Sequence, residues 1–152
     1  MTALRRPTEA IRYGEQAVRL LPRSRNAHNG LGISYVNAGR YREALQQFEE
    51  VRHLGGAGAG PMGLVYGLTG DTAKARQILV EMQSLRPTRG SWQGVALVYL
   101  GLGDKERAAA AIARADSAGD KGGIPLLGPL YDPIRDDPRF RAFLDKARRG
   151  AS

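Results

Sequence analysis

The sequence predicts an all-α protein, a right-handed α-solenoid of stacked helix-turn-helix hairpins closed by a C-terminal capping helix. Apolar residues recur at intervals of three and four, the period of a helix with one buried face, and no strand pattern occurs in the chain. Turns that contain glycine repeat along the chain, since Gly39, Gly70 and Gly103 lie 31 and 33 residues apart. The length of 152 residues suits a single domain with a buried core.

Other residue types repeat in register with these turns. A tyrosine precedes each turn glycine by four residues (Tyr35, Tyr66 and Tyr99), and an alanine follows it by five (Ala44, Ala75 and Ala108). A small residue precedes it by seven (Gly32, Gly63 and Ala96). We expect each turn glycine to end a helix in the left-handed conformation. We expect the small residues to let the two helices of a hairpin approach closely.

The repeat divides the chain into elements that follow one another in order. Residues 8–22 contain one predicted helix, and Pro22 marks its end. This helix would be the second helix of a partial repeat. Three hairpins follow, at residues 25–54, 56–87 and 88–118, and a C-terminal cap covers residues 124–149. A single hairpin leaves one apolar face uncovered, so the hairpins are expected to stack.

Polar residues beside the turns are expected to cap the helices. Asp71 and Asp104 each follow a turn glycine, and Ser24 precedes the first hairpin, so all three suit the N-cap position. Asp132 and Asp137 each precede a proline, which is the pattern of an N-cap followed by a first-turn proline. In the last helix Phe140, Phe143 and Leu144 provide an apolar face that would dock on the third hairpin.

The hairpin pattern resembles the tetratricopeptide repeat. The first unit carries Leu31-Gly32, Tyr35, Gly39, Tyr41, Ala44 and Phe48 in the columns of that family, and the resemblance covers about residues 8–118. The C-terminal part is similar to the repeat tails of bacterial multi-domain adenylate cyclases, Ser/Thr kinases and winged-helix regulators. The chain starts with the second helix of a unit, which leaves two interpretations open. It is the C-terminal piece of a longer protein, or the helix at 8–21 pairs with a partner such as another copy of the chain.

The resemblance also implies where a ligand would bind, because first helices in this family line a concave groove. The groove columns fall on Asn26, Asn29, Ile33, Val36, Asn37, Leu64, Leu68, Gln93, Leu97 and Leu100, with Ala57 and Gly60 beside them. Their composition gives an apolar floor with amide side chains, which suits an amphipathic helix or an extended peptide. The alternative is that the apolar members pack against neighbouring helices of the same protein.

The composition of the chain excludes cysteine-based sites and argues against nucleic-acid binding and membrane insertion. The chain has no cysteine, which excludes disulfide scaffolds, cysteine-ligated zinc and thiol nucleophiles. The net charge of +8 is divided between both ends of the chain, which makes a nucleic-acid surface unlikely on the sequence alone. No apolar stretch approaches the length of a membrane span and no signal-peptide core is present, so we expect a cytoplasmic protein without a membrane partner.

The motifs predict no reaction centre. Gly58, Gly60 and Gly63 match a dinucleotide-binding fingerprint, but a helix pattern precedes them where the fingerprint requires a strand. The run from Gly55 to Gly60 is therefore interpreted as a linker. His28 is expected to pack in the core. We predict no catalytic residues, metal or cofactor. The expected function is non-catalytic protein–protein interaction, as a scaffold or adaptor that binds a protein or peptide. The alternative is a self-associating regulatory segment of a larger bacterial signalling protein, a homodimer through the N-terminal helix.

Overall fold

A computed structural model describes residues 7–84, 91–119 and 128–150, and every regular element in these residues is helical. The helices are α1 (Pro7–Leu20), α2 (Arg25–Asn37), α3 (Tyr41–His53), α4 (Ala59–Leu68), α5 (Thr72–Ser84), α6 (Ser91–Gly101), α7 (Lys105–Ser117), a 3₁₀ helix (Pro129–Ile134) and α8 (Pro138–Gly150). The prediction of an all-α chain is confirmed. The predicted boundary at 87–88 and the predicted start of the cap at 124 lie outside the described residues.

The predicted turn glycines have the left-handed backbone. Gly39, Gly70 and Gly103 have φ angles of 74°, 85° and 77°. In each turn the residue after the glycine donates its backbone N–H to the carbonyl of the tyrosine five residues earlier, as in Arg40 to Tyr35 at 2.8 Å. The carbonyl of each repeated tyrosine therefore accepts the hydrogen bond that ends its helix.

The N-caps of α2, α5 and α7 are those that the sequence predicts. The Ser24 hydroxyl accepts a hydrogen bond from the Ala27 N–H at 3.2 Å. The Asp71 carboxylate accepts from the Lys74 N–H at 3.3 Å, and the Asp104 carboxylate accepts from the Arg107 N–H at 3.0 Å. Each cap satisfies one backbone donor that the first helical turn leaves unpaired.

The helices pack in chain order around one core. α1 packs on α2, α2 on α3, and α3 on α4, while α4 also contacts α5 and α6. α6 then packs on α7, and α7 on α8. Gly32 allows the contact between α2 and α3, because a Cβ at that position would lie 2.5 Å from a ring carbon of Phe48. No extensive contact joins α2 and α4, and Asn26 and Asn37 on α2 are exposed.

The closest approach between two helices is that of α4 and α6, and it occurs at two pairs of glycines. A Cβ on Gly60 would lie 2.5 Å from the Cα of Gly94, and a Cβ on Gly67 would lie 2.4 Å from the carbonyl carbon of Gly101. The two backbones are therefore in direct contact. The prediction that Gly60 belongs to a linker is wrong, because this glycine lies inside α4 and is buried.

The C-terminal segment covers α7 and part of α6. Asp137 caps α8 as predicted, since its carboxylate accepts from the Arg139 N–H at 2.9 Å. The predicted cap at Asp132 is wrong, because the 3₁₀ helix begins at Pro129 and Asp132 lies inside it, where its carboxylate accepts from Arg135 Nε at 3.0 Å. Phe140 and Phe143 are buried, as the docking prediction requires.

The single tryptophan marks the contact between α6 and α7. Trp92 is half-buried on α6, and the guanidinium carbon of Arg114 on α7 lies 4.9 Å from the centre of its ring. Arginine stacked on an indole ring is a favourable cation–π arrangement. The indole therefore contacts both helices of the third hairpin.

Candidate functional site

Four of the predicted groove residues form one stripe along α2. Asn26, Asn29, Ile33 and Asn37 follow one another at spacings of three, four and four, which places them on the same side of a helix. Asn26 and Asn37 are exposed, while Asn29 and Ile33 are partly exposed. We call these four residues the α2 stripe. The stripe carries three amide side chains and one aliphatic side chain, Ile33, which also packs against the core.

The α2 stripe contains an acceptor without a hydrogen bond. The side-chain carbonyl oxygen of Asn29 is buried and has no hydrogen-bond partner in the described part of the chain. An unpaired buried acceptor costs about 1–3 kcal/mol, and a ligand donor can reach this oxygen only after the Asn29 side chain turns outward. A peptide N–H is a donor of the appropriate kind.

Hydrogen bonds to three neighbouring segments hold α2 in place. His28 is buried, with its Nε2 2.8 Å from the carbonyl oxygen of Pro22 and its Nδ1 2.8 Å from Gln47 Oε1 on α3. The Tyr35 hydroxyl donates to the Glu15 carboxylate on α1 at 3.1 Å. Burial of the Tyr35 ring, together with this bond to a carboxylate, raises the pKa of the Tyr35 hydroxyl. The predicted packing role of His28 is confirmed, and the stripe has a fixed support.

The other half of the predicted groove is core, which corrects the sequence interpretation. The exposed fractions are 5% for Val36, 2% for Leu64, 1% for Gln93, 0% for Leu97 and 7% for Leu100. For Leu64, Leu97 and Leu100 the glycine contact between α4 and α6 closes the space that these side chains would otherwise line. Packing within the protein, the alternative that the sequence left open, holds at these five positions. Leu68 stays 45% exposed on α4, and Ala57 is exposed in the linker before α4.

The chain itself supplies the polar partner of Gln93. Gln93 Nε2 donates to the hydroxyl of Tyr131 at 2.6 Å, and both residues are buried. The Tyr131 ring stacks on Phe140 with their centroids 5.3 Å apart. The C-terminal segment therefore covers the end of α6 where the groove prediction placed a ligand. The sequence spacing could not predict Tyr131 as the partner of Gln93, because this pairing depends on how the 3₁₀ helix packs on α6.

A second concave feature lies at the C-terminal end, and charge pairs line it. It is a cavity of about 270 Å³ bounded by Lys105, Glu106, Asp132, Pro133, Ile134, Asp136 and Asp137. Arg139 binds Glu106 and Asp137 at 2.9–3.0 Å. These hydrogen bonds hold the pKa of both carboxyl groups below the usual range. Within the described ranges no group of three or more histidine and carboxylate side chains is placed to hold a metal ion. The cavity is a seam between α7 and the C-terminal segment.

No protein-family model matches the chain, and no curated protein matches it significantly. Among the described helices, none combines the length and the apolar character that crossing a membrane would require. The α2 stripe is therefore characterised by its own chemistry: amide side chains, one aliphatic contact and one unpaired acceptor.

Proposed function

We propose that this chain is a non-catalytic protein–protein interaction module, a tetratricopeptide-type solenoid that binds an extended peptide along α2. The observation that carries the proposal is the row of amide side chains at Asn26, Asn29 and Asn37 along one side of α2, of which Asn26 and Asn37 are exposed. An extended peptide offers a row of N–H donors and carbonyl acceptors. The amides of Asn26, Asn29 and Asn37 can pair with both kinds of group.

An extended peptide fits the α2 stripe better than an amphipathic helix does. A helix docked in a groove needs several apolar positions on the receptor, because its affinity comes from its buried apolar face. Leu64 and Leu97 are not available for this purpose, since the core already buries them. Ile33 is the one aliphatic side chain of the stripe. Most of the binding energy would therefore come from hydrogen bonds to the peptide backbone.

The proposal is tested with peptides selected from a random linear library displayed on phage. Selected peptides are titrated into the isotope-labelled chain, and the backbone amide signals are followed by NMR. We expect the largest shifts at residues 26–37. Replacing Asn29→Leu keeps the branched heavy-atom skeleton of the side chain and removes its polar atoms. This change is expected to weaken binding about tenfold. It removes a hydrogen bond of about 1–1.5 kcal/mol between Asn29 and the peptide and leaves the peptide N–H unpaired.

The control variant is Gln77→Leu. Gln77 is exposed on α5 and carries an amide outside the stripe, so this change is expected to leave peptide affinity unchanged. Far-UV circular dichroism of both variants checks that the helices are intact. Equal affinity for wild type and Asn29→Leu would refute the proposal, as would peptide-induced shifts that leave 26–37 undisturbed.

A further inference from the structure

One side of α1 exposes an apolar surface that no helix of the described chain covers. Tyr13 and Leu20 are 62% and 72% exposed, and Leu21, directly after α1, is 60% exposed. These three residues are most of the exposed large hydrophobic residues in the described part of the chain, the others being Leu68 and Val80. The buried side of α1, which includes Ile11, packs against α2. Contiguous exposed apolar side chains of this kind indicate an interaction surface.

The sizes of the side chains along this surface are arranged for pairing with a second, antiparallel copy. Ala10, Tyr13, Ala17 and Leu20 follow one another at spacings of three, four and three, a pattern that is symmetric about residue 15. Antiparallel pairing about that point places Tyr13 opposite Ala17 of the second copy, and Leu20 opposite Ala10. Each large side chain then meets a small one, which permits close packing. Parallel pairing would place tyrosine against tyrosine and leucine against leucine.

Charge also permits a second copy at α1. In α1 Glu9 and Glu15 balance Arg12 and Arg19, so two copies of this helix do not repel each other as a whole. A symmetric contact through α1 also closes on itself and leaves no free copy of the surface.

We infer that the chain forms a symmetric dimer in which two α1 helices pack antiparallel through Ala10, Tyr13, Ala17 and Leu20. This inference concerns a surface other than the α2 stripe and does not depend on the proposed peptide binding. One helix from each copy makes a small interface, so the dimer is expected to be weak and in rapid exchange. The proposed peptide site on α2 and the proposed dimer contact on α1 can therefore be tested independently of each other.

The oligomeric state tests the inference, measured by sedimentation velocity over a concentration series up to a few hundred micromolar. Wild type is expected to shift from monomer toward dimer as its concentration rises. Leu20→Glu places a charge in the contact and is expected to weaken dimerisation more than tenfold. Val80→Glu is the matched control, since Val80 is 66% exposed on α5, and its dimerisation should equal that of wild type. A chain that stays monomeric throughout, or equal dimerisation of Leu20→Glu and wild type, overturns the inference.

Disulfide trapping tests the orientation, and the absence of native cysteine makes the result unambiguous. Two variants, Ala10→Cys and Leu20→Cys, are oxidised separately and as a mixture. Antiparallel pairing predicts a mixed disulfide in the mixture and little disulfide in either variant alone. The two copies of residue 10 would lie about 15 Å apart along the helices, beyond the Cα separation of about 7 Å that a disulfide spans. Efficient disulfide formation by Ala10→Cys alone, or none in the mixture, overturns the antiparallel dimer.

Discussion

At the scale of single residues, glycines inside helices have opposite roles that depend on what lies beside them. Gly67 in α4 touches the backbone of α6, and a Cβ there would come within 2.4 Å of the carbonyl carbon of Gly101. Gly30 in α2 has no atom of another segment within 4 Å of the Cβ position. Both sites suffer the entropic penalty of glycine in a helix, but only at Gly67 does the absence of a side chain permit a contact.

Replacing Gly67→Ala is expected to destabilise the protein by about 1–3 kcal/mol, because the two backbones must separate to admit the methyl group. Replacing Gly30→Ala is expected to stabilise it by about 0.5–1 kcal/mol, since alanine favours the helix and meets nothing. Urea denaturation followed by circular dichroism measures both. Similar stability of the two variants would show that α4 and α6 are not in backbone contact.

The sequence predicts the turn glycines better than the contact glycines, for a physical reason. Gly39, Gly70 and Gly103 act within one turn, so their role follows from local spacing. Gly60 and Gly67 act through a helix that lies more than thirty residues away, and their role depends on which helices become neighbours. The same limitation applies to the predicted groove. Leu97 and Leu100 on α6 are core because α4 packs on α6, and helix spacing alone does not identify that neighbour.

At the scale of elements, one arginine joins α8 to the preceding hairpin. Arg139 in the first turn of α8 binds Asp137, which caps that helix, and Glu106 in the first turn of α7. Asp132 and Asp137 both precede a proline in the sequence, yet only Asp137 caps a helix. The difference arises because a 3₁₀ helix begins at Pro129, upstream of Asp132. The sequence around Pro129 has no helical periodicity, so this start could not be predicted from it.

Acid is expected to weaken the attachment of α8. Arg139 lowers the folded-state pKa of Glu106 and Asp137, so the pair contributes stability that is present above the ordinary carboxyl pKa of about 4. That stability is lost as the pH falls from there through the lowered folded-state values. The melting temperature of wild type should therefore fall as the pH decreases below about 4.

The variant Arg139→Met isolates this contribution. It should be slightly less stable than wild type at neutral pH, and its melting temperature should depend less on pH in the acid range. Arg141→Met serves as control, because the pair between Arg141 and Asp136 is highly exposed and should matter little. An acid dependence of Arg139→Met as steep as that of wild type would contradict the assignment.

At the scale of the whole molecule, the terminal helices α1 and α8 have fewer packed neighbours than α4 and α6. α4 and α6 contact each other at the glycine pairs and pack on further helices, whereas α1 packs on α2 and α8 packs on α7. Segments with few packed neighbours open at lower free energy than the core. We therefore expect α1 and α8 to open at lower free energy than α4 and α6.

Amide hydrogen exchange is expected to follow this order. The amides of α6 should exchange slowest, and those of α1 and α8 should exchange faster, because the terminal helices have fewer buried contacts to lose on opening. Mass spectrometry of peptic fragments measures each helix. Working at a low protein concentration keeps the chain monomeric, so that a dimer contact does not add to the protection of α1. Equal protection of α1 and α6 under that condition would show that the chain opens as one cooperative unit.

The position of Trp92 has a practical consequence for spectroscopy. It is the only tryptophan, and its indole lies between α6 and the guanidinium of Arg114. Fluorescence emission excited at the indole band therefore reports on one junction near the protected centre, while ellipticity averages over every helix. If the terminal helices melt before the centre, the two optical signals will have different midpoints, and the gap between them measures how far the chain departs from two-state unfolding.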